Sequence, residues 1–80
     1  WIAGQPQGIA TTSSGAFFVT DARGQRVVLF DGPGKPKQTF GKPGSSDGEF
    51  ASPTGIAIDK HGNVFVADTG NNRVQKFVTK

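Results

Sequence analysis

Apolar residues along the chain fall into short runs, and clusters of glycine, proline and small polar residues separate these runs. Two of the runs, Ala16–Thr20 (AFFVT) and Val64–Asp68 (VFVAD), are apolar at consecutive positions and not only at alternate ones. Such runs are typical of β-strands, and a strand that is apolar on both sides requires cover on both faces of its sheet. No segment keeps a 3.6-residue apolar period for three turns, so the chain is predicted to be all-β.

The pattern occurs twice. Pro6 and Pro53 each stand two residues before a Gly-Ile-Ala, which gives an offset of 47 residues (53 − 6). The same offset, without insertion or deletion, pairs Gly15 with Gly62, Phe18 with Phe65, Val19 with Val66, Asp21 with Asp68, Arg26 with Arg73, Val27 with Val74 and Phe30 with Phe77. The chain therefore holds two copies of one structural unit.

Each copy is predicted to contain three β-strands, and the first copy a fourth. We place the first strands at Gly8–Thr12 and Gly55–Asp59, the second at Ala16–Thr20 and Val64–Asp68, and the third at Arg26–Phe30 and Arg73–Val78. The fourth strand, Pro36–Gly41, carries prolines and lysines, which suit an outer edge. The first copy then spans residues 1–52, with a return loop at 42–52, and the second copy spans residues 53–80.

Two kinds of turn connect these strands. The sequence Asp59–Gly62 (DKHG) predicts a tight hairpin in which the glycine adopts positive φ. Between the second and third strands, an aspartate and an arginine flank four residues, and we expect these pairs to form ion pairs that also bind the loop backbone. The pairs are Asp21 with Arg26 and Asp68 with Arg73. Because they repeat with the fold, we interpret them as structural and not as ligand contacts. Gly70 and Asn71 suit a left-handed backbone in the second loop.

The segment SPTGIAIDKHGNVFVADTGNNRVQKF, residues 52–77, closely resembles the NHL repeat, and residues 5–30 resemble it more weakly. The segment FGKPGSSDGEF, residues 40–50, is similar to the outer strand and glycine-rich return of the same family. The resemblance implies two antiparallel blades of a β-propeller, which in this family usually has six blades. The second blade lacks its own outer strand.

Two blades cannot close a ring, and a blade that is apolar on both faces needs a neighbour on each side. We therefore expect either a homotrimer that completes six blades or a place within a longer chain. The candidate subunit edge is formed by Trp1, Ile2, Ala3, Val74 and Phe77. In this hypothesis the amino terminus of one subunit completes the outer edge of its neighbour.

Composition limits the chemistry that the chain can perform. It has no cysteine and one histidine, His61, so the usual nitrogen and sulfur ligands of a metal site are lacking. Some relatives of the NHL repeat are lyases or lactonase-like hydrolases with several histidines or carboxylates around a channel, and this sequence offers no such set. We predict no catalytic residue, no metal and no cofactor. No apolar run is long enough to span a bilayer, no signal peptide opens the chain, and the compartment stays open.

The remaining hypotheses concern binding. The resemblance implies a scaffold or protein-interaction module, with single-stranded RNA on one face as the alternative. Candidate residues on the face that carries the second-to-third-strand turns are Arg23, Lys42, Thr69 and Asn71. The net charge of +3 is mild, and the basic residues are dispersed, which favours protein interaction over RNA.

Overall fold

The computed structural model describes residues 4–32 and 36–78. Within these ranges the chain forms seven β-strands and one short 3₁₀ turn. The elements are β1 (Pro6–Thr11), β2 (Phe17–Asp21), β3 (Arg26–Phe30), β4 (Pro36–Phe40), β5 (Pro53–Ile58), β6 (Val64–Asp68), the 3₁₀ turn Thr69–Asn71, and β7 (Arg73–Phe77). The described residues include no helix that is long and apolar enough to cross a membrane.

The strands form two antiparallel sheets. The first sheet has the order β1-β2-β3-β4, and the second has the order β5-β6-β7. The all-β prediction is confirmed, and every predicted strand begins and ends within two residues of its observed position. In the described part of the chain no fourth strand joins the second sheet, so β7 is an edge strand.

The first-to-second-strand hairpins have the same geometry in both copies. The amide of Asp59 donates to the carbonyl of Asn63, and Gly62 adopts the predicted positive φ of 85°. The Asp59 carboxylate accepts bonds from the amides of His61 and Asn63, both at 2.9 Å. In the first copy Thr12 takes the place of Asp59, because its hydroxyl accepts the amide of Ala16 at 3.1 Å. Two different side chains therefore support one turn.

The sheets pack face to face, with β5 against β1 and β2. One apolar cluster lies between them and contains Phe18, Val27, Phe50, Val64 and Val66. A second cluster lies on the other face of the first sheet, because its members alternate with those of the first along β2 and β3. Its members are Phe17, Val19, Val28 and Phe30, and the rings of Phe17 and Phe30 stack at 5.1 Å. Apolar residues of β2 and β3 are therefore buried on both faces, and within the described residues the second sheet packs on the face that carries Phe18 and Val27.

Phe50 is a core residue that the strand pattern does not reveal. It lies in the return loop, outside the seven strands, yet it is fully buried between the two sheets. The ring of Phe77 lies 5.8 Å from the ring of Phe50 and 4.8 Å from that of Phe40. The return loop therefore contributes to the packing that joins the two sheets.

The innermost strands approach each other closely at Gly8. The Thr20 hydroxyl donates to the carbonyl of Thr54 at 2.6 Å and accepts the Gly8 amide at 2.9 Å. A Cβ at Gly8 would lie 2.5 Å from the Thr54 carbonyl oxygen, so only glycine fits without a shift of the backbone. This contact fixes how β1 and β5 sit against each other, and it places the turns of both sheets along one edge.

Candidate interaction site

The Asp68–Arg73 turn of the second sheet is a hydrogen-bond network. Asp68 is fully buried, and its carboxylate accepts bonds from Arg73 Nε at 2.8 Å and from the Ala51 amide at 2.7 Å. Asn71 and Gln75 also donate to it, at 2.9 and 3.2 Å. A buried carboxylate with four donors is well satisfied. The network ties β6, the 3₁₀ turn and β7 to the chain that enters β5.

Arg73 extends this network into the return loop. Its terminal nitrogens donate to the carbonyls of Ser45, Ser46 and Glu49 at 2.8–3.0 Å. Gln75 donates to the Glu49 carbonyl as well, at 2.8 Å. The guanidinium offers several donors in one plane, so a single side chain holds three carbonyls of a loop that belongs to the first copy. This link between the copies is absent from the sequence pattern, because the loop lies about 25 residues away along the chain.

The Asp21–Arg26 turn of the first sheet follows the same plan. The carboxylate of Asp21 accepts Arg26 Nε, the Gln5 amide and the Gly24 amide, each at 3.0 Å. The Gly4 amide donates at 3.2 Å, and Gly4 stands at the position equivalent to Ala51. In both copies, therefore, the carboxylate binds the segment that enters the innermost strand. This geometry supports the structural interpretation of both pairs.

The electrostatics of the two carboxylates agree with this arrangement. Burial alone would raise the pKa of Asp21, but the bonds from the Gly24 and Gln5 amides and from Arg26 outweigh it and lower the pKa to about 2. Burial also opposes ionisation of Asp68, yet the bonds from Ala51, Asn71 and Arg73 lower its pKa. Both groups are ionised at neutral pH and act as fixed acceptors.

The backbone of the turn differs from the expectation for Gly70 and Asn71. The left-handed residue is Asn72, with φ 54°, and Gln25 at the equivalent position has φ 56°. The prediction for Gly70 and Asn71 is therefore wrong, since those residues belong to the 3₁₀ turn. Gly70 is required for another reason. A Cβ there would lie 2.6 Å from the Ala51 carbonyl oxygen, which accepts the Gly70 amide at 2.7 Å.

The candidate face residues are only partly available to a ligand. Arg23 is exposed, whereas Lys42 lies 3.8 Å from the Glu49 carboxylate. Thr69 shares a hydrogen bond with Thr54 at 2.6 Å, and Asn71 donates to the Gly44 carbonyl as well as to Asp68. Thr69 and Asn71 therefore have structural partners on this face, and the four residues do not form one basic patch.

Only two of the five residues of the candidate subunit edge, Val74 and Phe77, lie within the described part of the chain. Trp1, Ile2 and Ala3 lie outside the described residues. By the 47-residue offset they correspond in sequence to Gly48–Phe50, the end of the return loop. Phe77 packs within the chain against Phe40 and Phe50, and Val74 is 67% exposed.

Val74 belongs to an exposed surface on the second sheet. Residues paired across antiparallel strands share a face, so Phe65 lies beside Ala57 and Lys76, and Ala67 lies beside Val74. We call this surface the open face, and its members are Ala57, Phe65, Ala67, Val74, Lys76 and Val78. Val78 is 65% exposed, and Lys76 Nζ lies 5.8 Å above the ring of Phe65.

The corresponding surface of the first sheet is covered. The offset of 47 relates Phe65, Ala67, Val74 and Lys76 to Phe18, Thr20, Val27 and Leu29. Val27 is fully buried and Phe18 is 7% exposed, because the second sheet packs on them. The open face thus occupies the position at which, one copy earlier, another sheet is bound. It is the strongest candidate interaction site in the described chain.

The described residues contain no cluster of three or more histidine, cysteine, aspartate or glutamate side chains that could hold a metal ion. His61 is exposed in its hairpin, and its backbone amide donates to Asp59. The hydrogen bonds from Asn63 lower the pKa of Asp59, and burial opposes this effect. These groups shape the turn.

Stacked antiparallel sheets of this order, repeated along the chain, are blades of a β-propeller type. The family model described as NHL repeat matches residues 50–77, so the NHL repeat predicted in the second copy is confirmed.

Three relatives illustrate the similarity. Protein lin-41 of Caenorhabditis elegans is 60% identical over 42 residues, which are 52% of this chain and 4% of that protein. E3 ubiquitin-protein ligase TRIM71 of Gallus gallus is 48% identical over 46 residues, 58% of this chain and 5% of that protein. The probable peptidyl-alpha-hydroxyglycine alpha-amidating lyase pgal-1 of C. elegans is 34% identical over 80 residues, 94% of this chain and 23% of that protein. The chain spans less than a quarter of the length of each of these curated relatives.

Proposed function

We propose that this chain is a non-catalytic interaction scaffold whose blades stack head to tail on blades of the same kind, with three copies closing a six-bladed ring. The observation that carries the proposal is the difference between Val27, which is fully buried, and Val74, which is 67% exposed at the equivalent position. A contiguous apolar face of this kind is typical of an interaction surface.

The surface that would cover the open face lies at the other end of the same chain. Ile56 of the second sheet packs against the cluster between the sheets, whereas its equivalent, Ile9, is 62% exposed. Ile9 therefore marks the surface that faces a preceding blade, and the open face marks the surface that faces a following one. Two different surfaces that fit each other generate a head-to-tail interface, which closes when the rotation between blades divides a circle.

The alternative functions have less support from the geometry. Of the four residues considered for RNA, Lys42 and Asn71 bind groups of their own loop and return segment, so no continuous basic track remains. The similarity to the lyase relative covers most of this chain, yet the described residues contain no cluster of three histidine, cysteine, aspartate or glutamate side chains that could hold a metal ion. An interaction scaffold needs none of these groups.

Light scattering on the chain at micromolar concentration tests the ring. The expected mass is three times 8.4 kDa, and a folded monomer would overturn the proposal. Val74→Asp and Ile9→Asp should each prevent the trimer without loss of β-sheet signal in circular dichroism. Ser13→Asp, at an exposed hairpin position, is the matched control and should leave the mass unchanged.

A mixture of the two variants sharpens this test. The Ile9→Asp chain keeps its open face, and the Val74→Asp chain keeps the surface around Ile9. A head-to-tail interface therefore predicts a dimer of one chain of each kind and no larger species. If the mixture stays monomeric while wild type forms trimers, the trimer uses other surfaces and the head-to-tail arrangement is wrong.

A further inference from the structure

The chain contains two Asp-Gly sequences, at residues 31–32 and 47–48. Glycine has no Cβ, so its amide nitrogen approaches the side-chain carboxyl group of the preceding aspartate without steric hindrance. Attack of this nitrogen on the carboxyl carbon closes a succinimide ring. The two sequences are chemically equivalent in an unfolded chain, so any difference between them in the protein comes from the fold.

The sequence at 47–48 lies in a tight turn of the return loop. The Glu49 amide donates to the Ser46 carbonyl at 2.9 Å, so Asp47 and Gly48 are the two central residues of a β-turn. Gly48 has a φ of 80°, whereas Asp47 is not among the residues with positive φ. This combination defines a type II turn, in which ψ of the first central residue is about +120°.

This turn holds the reacting atoms apart. A planar succinimide ring requires that Cβ and the next amide nitrogen lie on the same side of the Cα–C bond. For an L-aspartate this is the ψ of the mirror-image turn, type II′, and not that of type II. The Gly48 amide is also occupied, because it donates to the side-chain oxygen of Gln75 at 2.9 Å. Ring closure at Asp47 therefore requires that the turn open and that the Gly48 amide leave Gln75.

The second sheet is what holds this turn in place. Gln75 belongs to β7, so the bond from the Gly48 amide joins the loop of the first copy to a strand of the second. Arg73, on the same strand, donates to the carbonyls of Ser46 and Glu49, which flank the Asp-Gly sequence, at 2.8 Å each. The Gly48 amide is released only when the return loop lifts from the second sheet.

The sequence at 31–32 has no comparable protection. Asp31 is exposed, and within the described chain no hydrogen bond reaches its carboxylate or the Gly32 amide. A Cβ built on Gly32 would meet no atom within 4 Å, so the backbone there has open space around it. Asp31 is therefore an internal reference for the reactivity of an Asp-Gly sequence in this protein.

We propose that Asp47 is a conditional isomerisation site, which is protected while the return loop is bound to the second sheet and reacts when the loop lifts from it. In the open loop the Gly48 nitrogen bonds to the Asp47 side-chain carboxyl carbon, and the carboxyl hydroxyl leaves with the amide proton as water. A second water then opens the ring. Attack at the side-chain carbonyl restores aspartate, and attack at the main-chain carbonyl gives isoaspartate, in which the backbone runs through the side chain.

Isoaspartate at this position would hinder return of the loop. It adds one carbon atom to the backbone between Ser46 and Gly48. Arg73 binds carbonyls on both sides of the change, and Phe50, three residues further on, is fully buried between the sheets. The longer backbone cannot satisfy both contacts, so the two sheets are held less tightly. The site thus records a separation of the two blades as a covalent change, and it does not depend on closure of the ring of blades.

Incubation in heavy-oxygen water tests the proposal, because each hydrolysis of a succinimide adds one solvent oxygen. In the folded protein at neutral pH, Asp47 should acquire label at least about tenfold more slowly than Asp31, since the loop must open before the ring can close. Peptide mapping by mass spectrometry assigns the label and the isoaspartate to each site. The urea-unfolded chain is the control and should label both sites at equal rates. Equal rates in the folded protein would overturn the inference.

A substitution on the second sheet makes the test specific. Gln75→Leu removes the acceptor of the Gly48 amide and should speed labelling of Asp47 by about fivefold without a change at Asp31. Gln7→Leu, at an exposed position of β1, is the matched control and should change neither rate. Circular dichroism verifies that both variants are folded. An unchanged rate at Asp47 in the folded Gln75→Leu chain would show that the contact with β7 does not protect it.

The wild-type chain supplies a second measurement that does not rely on the variant. Urea below the unfolding transition should raise the rate at Asp47 and leave the rate at Asp31 nearly constant, because local opening of the loop precedes global unfolding. If the rate at Asp47 stayed constant up to the transition, the loop would open only together with the sheets. That result would overturn the proposed dependence on loop lifting.

Discussion

The two copies of the repeat share a backbone but differ in what covers the same face. In the first copy Val27 and Leu29 pack under the second sheet, whereas in the second copy Val74 and Lys76 face outward. The side chains on this face differ between the copies as well. The hydroxyl of Thr20 bridges the two sheets, and the equivalent residue of the second copy is Ala67, which has only a methyl group. The comparison separates the residues that build a blade from those that join blades.

The turns between the second and third strands, by contrast, have the same contacts in both copies. Asp21 and Asp68 have the same arginine partner, the same bond to the entering segment and a lowered pKa. These bonds lie within one chain, so they form whether or not a neighbouring subunit is present. The faces need a neighbour, and the turns do not. This difference predicts which substitutions change folding and which change assembly.

The largest effect is expected where the two copies differ most in burial. Val27→Asp places a charge in a fully buried site without a partner and should cost about 4 kcal/mol of folding free energy. Val74→Asp, at the equivalent exposed site, should change the stability of a single chain by less than about 0.5 kcal/mol. Urea unfolding of both variants measures the difference. Equal losses would show that the face around Val74 is covered in the folded chain.

A smaller effect is expected for the turn carboxylates. Asp68→Ala removes the acceptor of four donors, including the Ala51 amide, and should cost about 3 kcal/mol. Asp21→Ala should cost a similar amount, because its network has the same number of donors. The denaturation midpoint is the measurement, and Asp59→Ala in the exposed hairpin should lower it less. An unchanged midpoint for Asp68→Ala would show that the turn does not depend on its carboxylate.

The same networks predict sensitivity to acid. The folded-state pKa of Asp21 is about 2, below its usual value of 3.8, so its contribution is complete above pH 5 and is lost as the pH falls toward 2. The loss should be about 2 kcal/mol for this group. Asp68 shifts in the same direction and adds to it. Chemical unfolding at pH 7, 4 and 2 checks the sign, and the decrease should be smaller in Asp21→Asn. A midpoint that rises between pH 4 and pH 2 would contradict the assignment.

Much of this architecture could be predicted from the sequence because it depends on local patterns. Consecutive apolar residues located β2 and β6, and the offset of 47 residues aligned the turns in both copies. The aspartate–arginine pairs were predictable because their members are five residues apart within one loop. Each of these features arises from residues close together in the chain.

What could not be predicted depends on contacts between the copies. Phe50 lies in a glycine-rich loop that carries no strand pattern, and its burial depends on both sheets. The bonds from Arg73 to Ser45 and Ser46 cross more than 25 residues. The left-handed residue of the turn was misplaced by one position, because asparagine at 71 and at 72 has the same tolerance for that conformation. Tertiary geometry selected between them.

The smallest expected effect concerns two equivalent glycines. Gly8→Ala would place a Cβ 2.5 Å from the Thr54 carbonyl oxygen, so the innermost strands must separate, and we expect a loss of about 1 kcal/mol. At Gly55 the nearest atom to such a Cβ is the Ala67 side chain at 3.7 Å, which is an ordinary contact. Alanine also loses less conformational entropy on folding than glycine, so Gly55→Ala should stabilise an isolated chain by about 0.5 kcal/mol.

Gly55→Ala should have the opposite effect on assembly: it stabilises the single chain but weakens the trimer. In a head-to-tail ring, Gly55 would meet the innermost strand of the next chain as Gly8 meets β5 within the chain, and an added methyl group would hold the two chains apart. Gly55→Ala should therefore raise the unfolding midpoint of dilute monomer and shift the trimer to higher protein concentration. Thermal unfolding and light scattering over a dilution series measure both effects. If Gly55→Ala raised the midpoint and left the concentration dependence of the trimer unchanged, the faces that join the chains could not be the ones that join the two sheets.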